Sequence, residues 1–334
     1  MRTGMATAVM ALALVAGAAK AQTQTVTYAY GADIGWVTQE ERQGFTFHDA
    51  TGHRNDPFVL LKNLGVNAIR LRVWVDPRDG WNNKADTLAK AKRAMAQGQR
   101  VMIDFHYSDD WADPKKQVKP KAWANDSEAQ LEQHVYDHTA DVLSYLKANG
   151  VVVSWVQVGN EITNGLLWPD GDTQHWANLT ALTNHGYDAV KSIYPDAQVV
   201  IHIDNGWDDA KARWWFDNFF ENSGKVDIIG LSYYPAYSPT KDWKQENPHL
   251  GQTMGDLVTA YHKPVMIVEI GFDADKPHEA KLMIEDVIKR NQMLGDLGQG
   301  VFYWEPDSPG PMGYPLGAMT GDGRFTAAMD AFTH

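Results

Sequence analysis

Val151-Val152-Val153-Ser154-Trp155-Val156-Gln157-Val158 runs straight into Gly159-Asn160-Glu161. The first part is β-branched and aromatic without strict alternation, which is how a strand buried on both faces of a parallel sheet reads. Polar groups follow at once. Seven further runs share that form: Tyr28 to Trp36, Val66 to Trp74, Arg100 to Tyr107, Ala197 to Ile203, Val226 to Tyr233, Pro264 to Ile270 and Gly300 to Trp304. Helical patterns lie between them. Ser127 and Gln130 form a possible capping box ahead of a stripe of Leu131, Val135, Thr139, Val142 and Leu146, closed by Asn149-Gly150. Similar patterns occupy Lys84 to Gln97, His175 to Tyr194 and, after Pro277, His278 to Leu294. Strand and helix alternating eight times predict an α/β fold, a single (β/α)8 TIM barrel.

The chain has 334 residues, which one such barrel can absorb, and no linker, repeat or low-complexity tract marks a second domain. Arg2, the apolar run Met5 to Ala19 and the small residues Ala19-Lys20-Ala21 read as a signal peptide over residues 1–21, leaving 22–334 as the catalytic domain of an exported protein, periplasmic or secreted. No later stretch approaches the length of a membrane span. Lys+Arg total 30 against Asp+Glu 42, a net charge of −12, which offers no footprint for nucleic acid or an anionic membrane surface. Cysteine is absent, so disulfides, thiolate nucleophiles and Cys-based metal sites are excluded. Thirteen Trp and 13 Tyr suit a large core or a groove that stacks sugar rings.

Barrel active sites lie on loops leaving the C-terminal ends of the strands, and here those ends are crowded with polar and aromatic residues. Glu161 ends the fourth run and Glu269 the seventh, on opposite sides of a closed barrel. Facing carboxylates are the machinery of glycosidic bond cleavage. Asn160 is placed to bond a sugar hydroxyl. Arg70 and Tyr233 are placed to hold Glu269 ionised, although Arg70 can equally pair with a buried Asp33 or Asp104. Trp304 can floor the reacting ring or simply pack in the core.

Gly31-Ala32-Asp33-Ile34, Leu71 to Pro77, Asp104-Phe105-His106-Tyr107-Ser108-Asp109-Asp110-Trp111-Ala112-Asp113-Pro114 with Lys119 to Trp123, Val156 to Gly165, and Phe302 to Pro306 together resemble glycoside hydrolase family 53, the arabinogalactan endo-β-1,4-galactanases. The resemblance spans about Tyr28 to Phe332. It implies that Glu161 is the acid/base and Glu269 the nucleophile of a retaining enzyme. Asn160, Arg70, His106, Tyr233 and Trp304 would then line the subsite where the bond breaks, with Asp109, Trp111 and Trp123 on a chain-binding loop. The implied substrate is neutral β-1,4-galactan carried on pectin, cut internally. A monomer is expected.

The remaining signals are weaker. Asp273 and Asp275 have calcium-like spacing but read as a solvated turn, so no calcium is expected. His134 and His138 lie four apart on a predicted helix, on its expected solvated face rather than in a zinc site. No phosphate loop or nucleotide fingerprint is present, so no cofactor is expected. Two rivals remain open: another retaining endo-glycanase on the same barrel, a mannanase or β-glucanase, and a non-catalytic polysaccharide-binding barrel.

Overall fold

The computed structural model describes residues 1 and 27–333. The signal-peptide expectation, residues 1–21, falls almost wholly outside them. Eight parallel strands close a barrel: β1 (Ala29–Asp33), β2 (Ala68–Val73), β3 (Arg100–Phe105), β4 (Val153–Val158), β5 (Gln198–Ile203), β6 (Ile228–Tyr233), β7 (Val265–Ile270) and β8 (Gly298–Trp304). Seven lie within a run read from sequence, and β8 begins two residues before its run, at Gly298 rather than Gly300. The barrel closes where β1 pairs with β8, Ala29 opposite Gly300 through Asp33 opposite Trp304.

Helices α1 (Val37–Arg42), α2 (Pro57–Asn63), α3 (Lys84–Ala96), α4 (Glu128–Ala148), α5 (Trp176–Ile193), α6 (Asp209–Glu221), α7 (Trp243–Tyr261) and α8 (Pro277–Gln292) cover the outside. The Ser127 backbone N–H donates to Gln130 Oε1 at 2.9 Å, and the expected stripe of α4, Leu131 to Leu146, is buried. The alternation is not perfect. Two helices follow β1, whereas β8 is followed by a Pro- and Gly-rich loop and only a 3₁₀ turn, Ala327–Phe332, because Pro309, Pro311 and Pro315 deny that segment a continuous helical ladder.

Strand parity divides the core. One set of side chains packs outward against the helices, while Ala29, Ala68, Met102, Trp155, Val200, Ile228, Met266, Val268 and Phe302 fill the barrel interior. Two residues further along several strands the interior turns polar: Arg70 follows Ala68, Asp104 follows Met102, Gln157 follows Trp155 and His202 follows Val200, all fully buried. An apolar plug thus supports a polar layer at the C-terminal mouth. Among the described residues no helix is long and apolar enough to cross a membrane.

Candidate active site

Glu269 reaches the mouth through an irregularity in β7. Leu231 pairs with Ile267, yet the next residue of β6, Ser232, pairs with Glu269, so Val268 is bulged out of register. The bulge lets Val268 stay in the apolar plug while its neighbour Glu269 also turns inward, a re-aiming that strict alternation would forbid. Glu161 arrives differently. Gly159, at φ 85°, turns the chain off β4, and Glu161 itself sits in the left-handed region at φ 44°. Tyr107, Asn205 and Glu305 hold similar positive φ values just beyond β3, β5 and β8, so backbone strain recurs around the same rim.

Arg70 ties the polar layer together. Its guanidinium reaches Asp33 at 2.5 Å, Asp104 at 2.9 Å and Glu269 at 3.0 Å, and donates to Asn160 Oδ1 at 2.7 Å and Gln157 Oε1 at 3.1 Å. Both alternatives read for Arg70 therefore hold at once: it pairs with the buried aspartates and with the strand-end glutamate. Glu269 Oε2 also accepts from the Tyr234 hydroxyl at 2.8 Å. Glu161 Oε1 accepts from Ser232 Oγ at 2.7 Å. Because Ser232 is the register partner of Glu269, the two glutamates meet at the same point of the rim.

Their environments are unequal. Burial raises the Glu269 carboxyl, to about 7, against the pull of Arg70 and the Tyr234 hydroxyl towards the ionised form. Burial and the charge of Glu269 raise Glu161 well above its ordinary value, with no guanidinium among the main opposing causes. Arg70 and the Tyr234 hydroxyl favour the ionised form of Glu269, whereas no cation pairs with Glu161 among the described residues. Such a pair, one carboxyl favoured as carboxylate and one as acid, is what acid-assisted nucleophilic displacement at an acetal carbon requires.

The family model described as "Glycosyl hydrolase family 53" matches residues 29–319. The chain belongs to glycosyl hydrolase family 53. It is 34% identical over 300 residues to an arabinogalactan endo-beta-1,4-galactanase of Thermothelomyces thermophilus, covering 83% of this chain and 88% of that one. A structure from a study of two fungal beta-1,4-galactanases superposes with a TM-score of 0.85 at 31% identity, covering 92% of this chain and 99% of the other. The GH53 catalytic domain of Ignisphaera aggregans gives 0.84 at 29% identity, covering 93% and 97%.

Within this family 53 barrel, two residues read as substrate contacts, Tyr233 and Trp123, are placed elsewhere, while Asp109 lies on the loop after β3. Tyr233 does not touch Glu269: Ser232 points inward, so Tyr233 points outward, where its hydroxyl bonds Asn247 Oδ1 of α7 at 2.5 Å. Its neighbour Tyr234 takes the inward place. Trp123 is buried on the outside of the barrel, stacked on His134 with ring centroids 5.3 Å apart. Asp109 staples loops, accepting from the backbone N–H groups of Asp76 at 3.1 Å and Lys121 at 2.9 Å.

His106 and Asn160 lie in the polar layer. His106 bonds Asp104 at 3.0 Å and accepts from Trp74 Nε1 at 3.2 Å, and the Asn160 amide nitrogen donates to the Ala112 carbonyl oxygen at 2.9 Å. Trp111 and Trp304 are half-buried beside the mouth, ring centroids 5.9 Å apart, each also against Trp36. The Arg72 guanidinium lies 4.4 Å from the Trp111 ring centroid and pairs with Glu305, which also accepts from the Gly35 and Trp36 backbone.

His138 is not on a solvated face. Its ring edges against Phe105, Tyr107 and Trp123, and burial pushes it down to about 4. Asp273 accepts from the Asp275 backbone at 3.1 Å and pairs with Lys276 at 3.3 Å, closing a turn ahead of α8. Sequence reasoning passed over Gln157, His202, Ser232 and Tyr234. Counting by twos along each strand from its interior apolar residue, Trp155, Val200 or Ile228, reaches the first three.

Proposed function

We propose that the protein is an exported, monomeric endo-β-1,4-galactanase that cuts internal bonds of neutral pectic β-1,4-galactan with retention of configuration. The observation that carries the chemistry is the unequal pair of strand-end glutamates, Glu269 held towards ionisation by Arg70 and Tyr234, and Glu161 held towards protonation by burial and by Glu269. In the first step Glu269 bonds to the anomeric carbon as the glycosidic C–O bond breaks, and the proton of Glu161 passes to the leaving oxygen. In the second, Glu161, now a carboxylate, takes a proton from the water that opens the glycosyl ester. Asn160, Arg70 and His106 would bond the reacting sugar or fix its partners, and Trp304 and Trp111 offer aromatic faces beside it.

A net charge of −12 suits a neutral chain and disfavours polygalacturonate. The galactanases among the relatives support galactan over mannan or β-glucan. Residues 1–21 are proposed as the signal peptide, and the scheme calls for no cofactor or metal. The test is reducing-end release from purified galactan, mannan and β-glucan, with Glu269→Gln alongside. Galactan alone should be cut, and the variant should bind galacto-oligosaccharide without turning it over. Activity on mannan with none on galactan, or near-normal rates from Glu269→Gln, would overturn the proposal.

A further inference from the structure

Behind Glu161 a file of hydrogen bonds runs into the barrel, and the polarity of each link follows from groups that have no choice. Arg70 Nε only donates, so the Gln157 atom 3.1 Å away is the amide oxygen, which leaves the amide nitrogen facing Asp104 Oδ1 at 2.6 Å. The Glu161 backbone N–H, also only a donor, points at His202 Nδ1 from 3.2 Å, and the Gln157 nitrogen lies 3.1 Å from the same atom. Asn160 Oδ1 is 3.2 Å from Nδ1 as well, but its two lone pairs face Arg70 at 2.7 Å and the Gln157 nitrogen at 3.1 Å. Nδ1 is therefore the bare nitrogen of the ring. Burial and the nearby Arg70 charge push His202 well below its ordinary value and keep it neutral.

The single ring hydrogen then sits on Nε2, 2.7 Å from Ser232 Oγ. Ser232 accepts it and has one hydrogen left to give, which goes to Glu161 Oε1 at 2.7 Å. Were the acid proton on Oε1, it would face the serine hydrogen, and that hydrogen would lose the acceptor it has there. Glu161 Oε2 has no hydrogen-bond partner among the described residues, on a side chain that stays partly exposed.

We propose that His202, acting through Ser232, fixes the transferable proton of Glu161 on Oε2, the oxygen left free for substrate. His202 is a positioning residue and Ser232 its relay. The proposal rests on Glu161 being the acid/base. In the first step the proton leaves Oε2 for the glycosidic oxygen while the Ser232 bond to Oε1 strengthens around the new carboxylate.

The experiment compares Ser232→Ala and Glu161→Ala on galactan, whose sugar leaving group needs a proton, and on a dinitrophenyl β-galactobioside, whose phenolate leaves without one. Ser232→Ala is expected to lose about 10- to 100-fold in kcat/KM on galactan, the range for a hydrogen bond to a charged group. Its first-turnover release of dinitrophenolate should stay near wild type. Equal loss on both substrates would make the pair a mere shaper of the cleft, and no loss on galactan would mean that the proton is placed without it. Either result overturns the proposal. His202→Gln, which keeps an N–H and a carbonyl oxygen, should retain more galactan activity than His202→Leu; equal loss from the two removes His202 from the scheme. If Glu161→Ala itself loses both substrates equally, the acid/base assignment fails, whatever Ser232 does.

Discussion

Tyr233 and Tyr234 are adjacent, chemically identical and, on this structure, opposite in consequence. Tyr234 donates to Glu269 Oε2 at 2.8 Å, whereas Tyr233 donates to Asn247 in the layer between barrel and helices. Replacing Tyr234 with Phe removes a hydrogen bond to a charged group, about 1.5–3 kcal/mol. If that loss falls on the ionised form alone, at 1.36 kcal/mol per pKa unit Glu269 rises by about one to two units. The sign follows from the role. In the proposed scheme Glu269 must be ionised to attack, so the acid limb of kcat/KM moves to higher pH, and on that limb activity at fixed pH falls about tenfold per unit. Tyr233→Phe strands the Asn247 amide instead, which costs stability of about 1–3 kcal/mol and leaves the limb in place. The assay is kcat/KM on galactan across pH for both variants, with thermal unfolding of each. An unmoved acid limb in Tyr234→Phe, or a moved one in Tyr233→Phe, would refute the parity argument that places these two side chains.

Two further outcomes are expected. Glu40 is fully buried and pushed up to about 8, chiefly by burial and the Glu305 charge. Its proton is kept in the folded chain and lost from the unfolded one as pH rises from about 4.3 towards 8, so it subtracts about 1.4 kcal/mol of stability per unit over that span. Glu40→Gln should gain on the wild type between pH 5 and pH 8, read by urea unfolding at each; parallel profiles would contradict it. Trp123→Ala should cost about 3–5 kcal/mol as a core truncation while KM for galactan is unchanged. A raised KM without loss of stability would return Trp123 to the substrate.

The barrel was legible because every strand is buried on both faces and so reads as an apolar run with sharp ends. Helices were legible where their caps or stripes were plain, as at Ser127. α6 was not, since Trp214, Trp215, Phe216, Phe219 and Phe220 carry strand-like propensity, and Pro248 inside α7 obscured that helix too. The two glutamates were visible as strand ends. What surrounds them was not, for two physical reasons. Choosing between Tyr233 and Tyr234 depends on parity, and parity in β7 is itself broken by a bulge that leaves no mark in composition. Loop residues such as Trp123 and Asp109 depend on how the segment after β3 folds back, which no local pattern specifies.

That segment has a practical consequence. It is stitched to the loop after β4 by Lys119 to Asp170 at 2.6 Å, by the Asn164 amide to the Pro114 carbonyl oxygen at 2.8 Å, and by Gln117 to the carbonyl oxygen of Asn160 at 2.8 Å. The last stitch fastens onto the residue directly before Glu161. Anyone recutting this enzyme for longer or shorter products would therefore have to transplant the two loops as one piece, since exchanging either alone would tug on Glu161 itself.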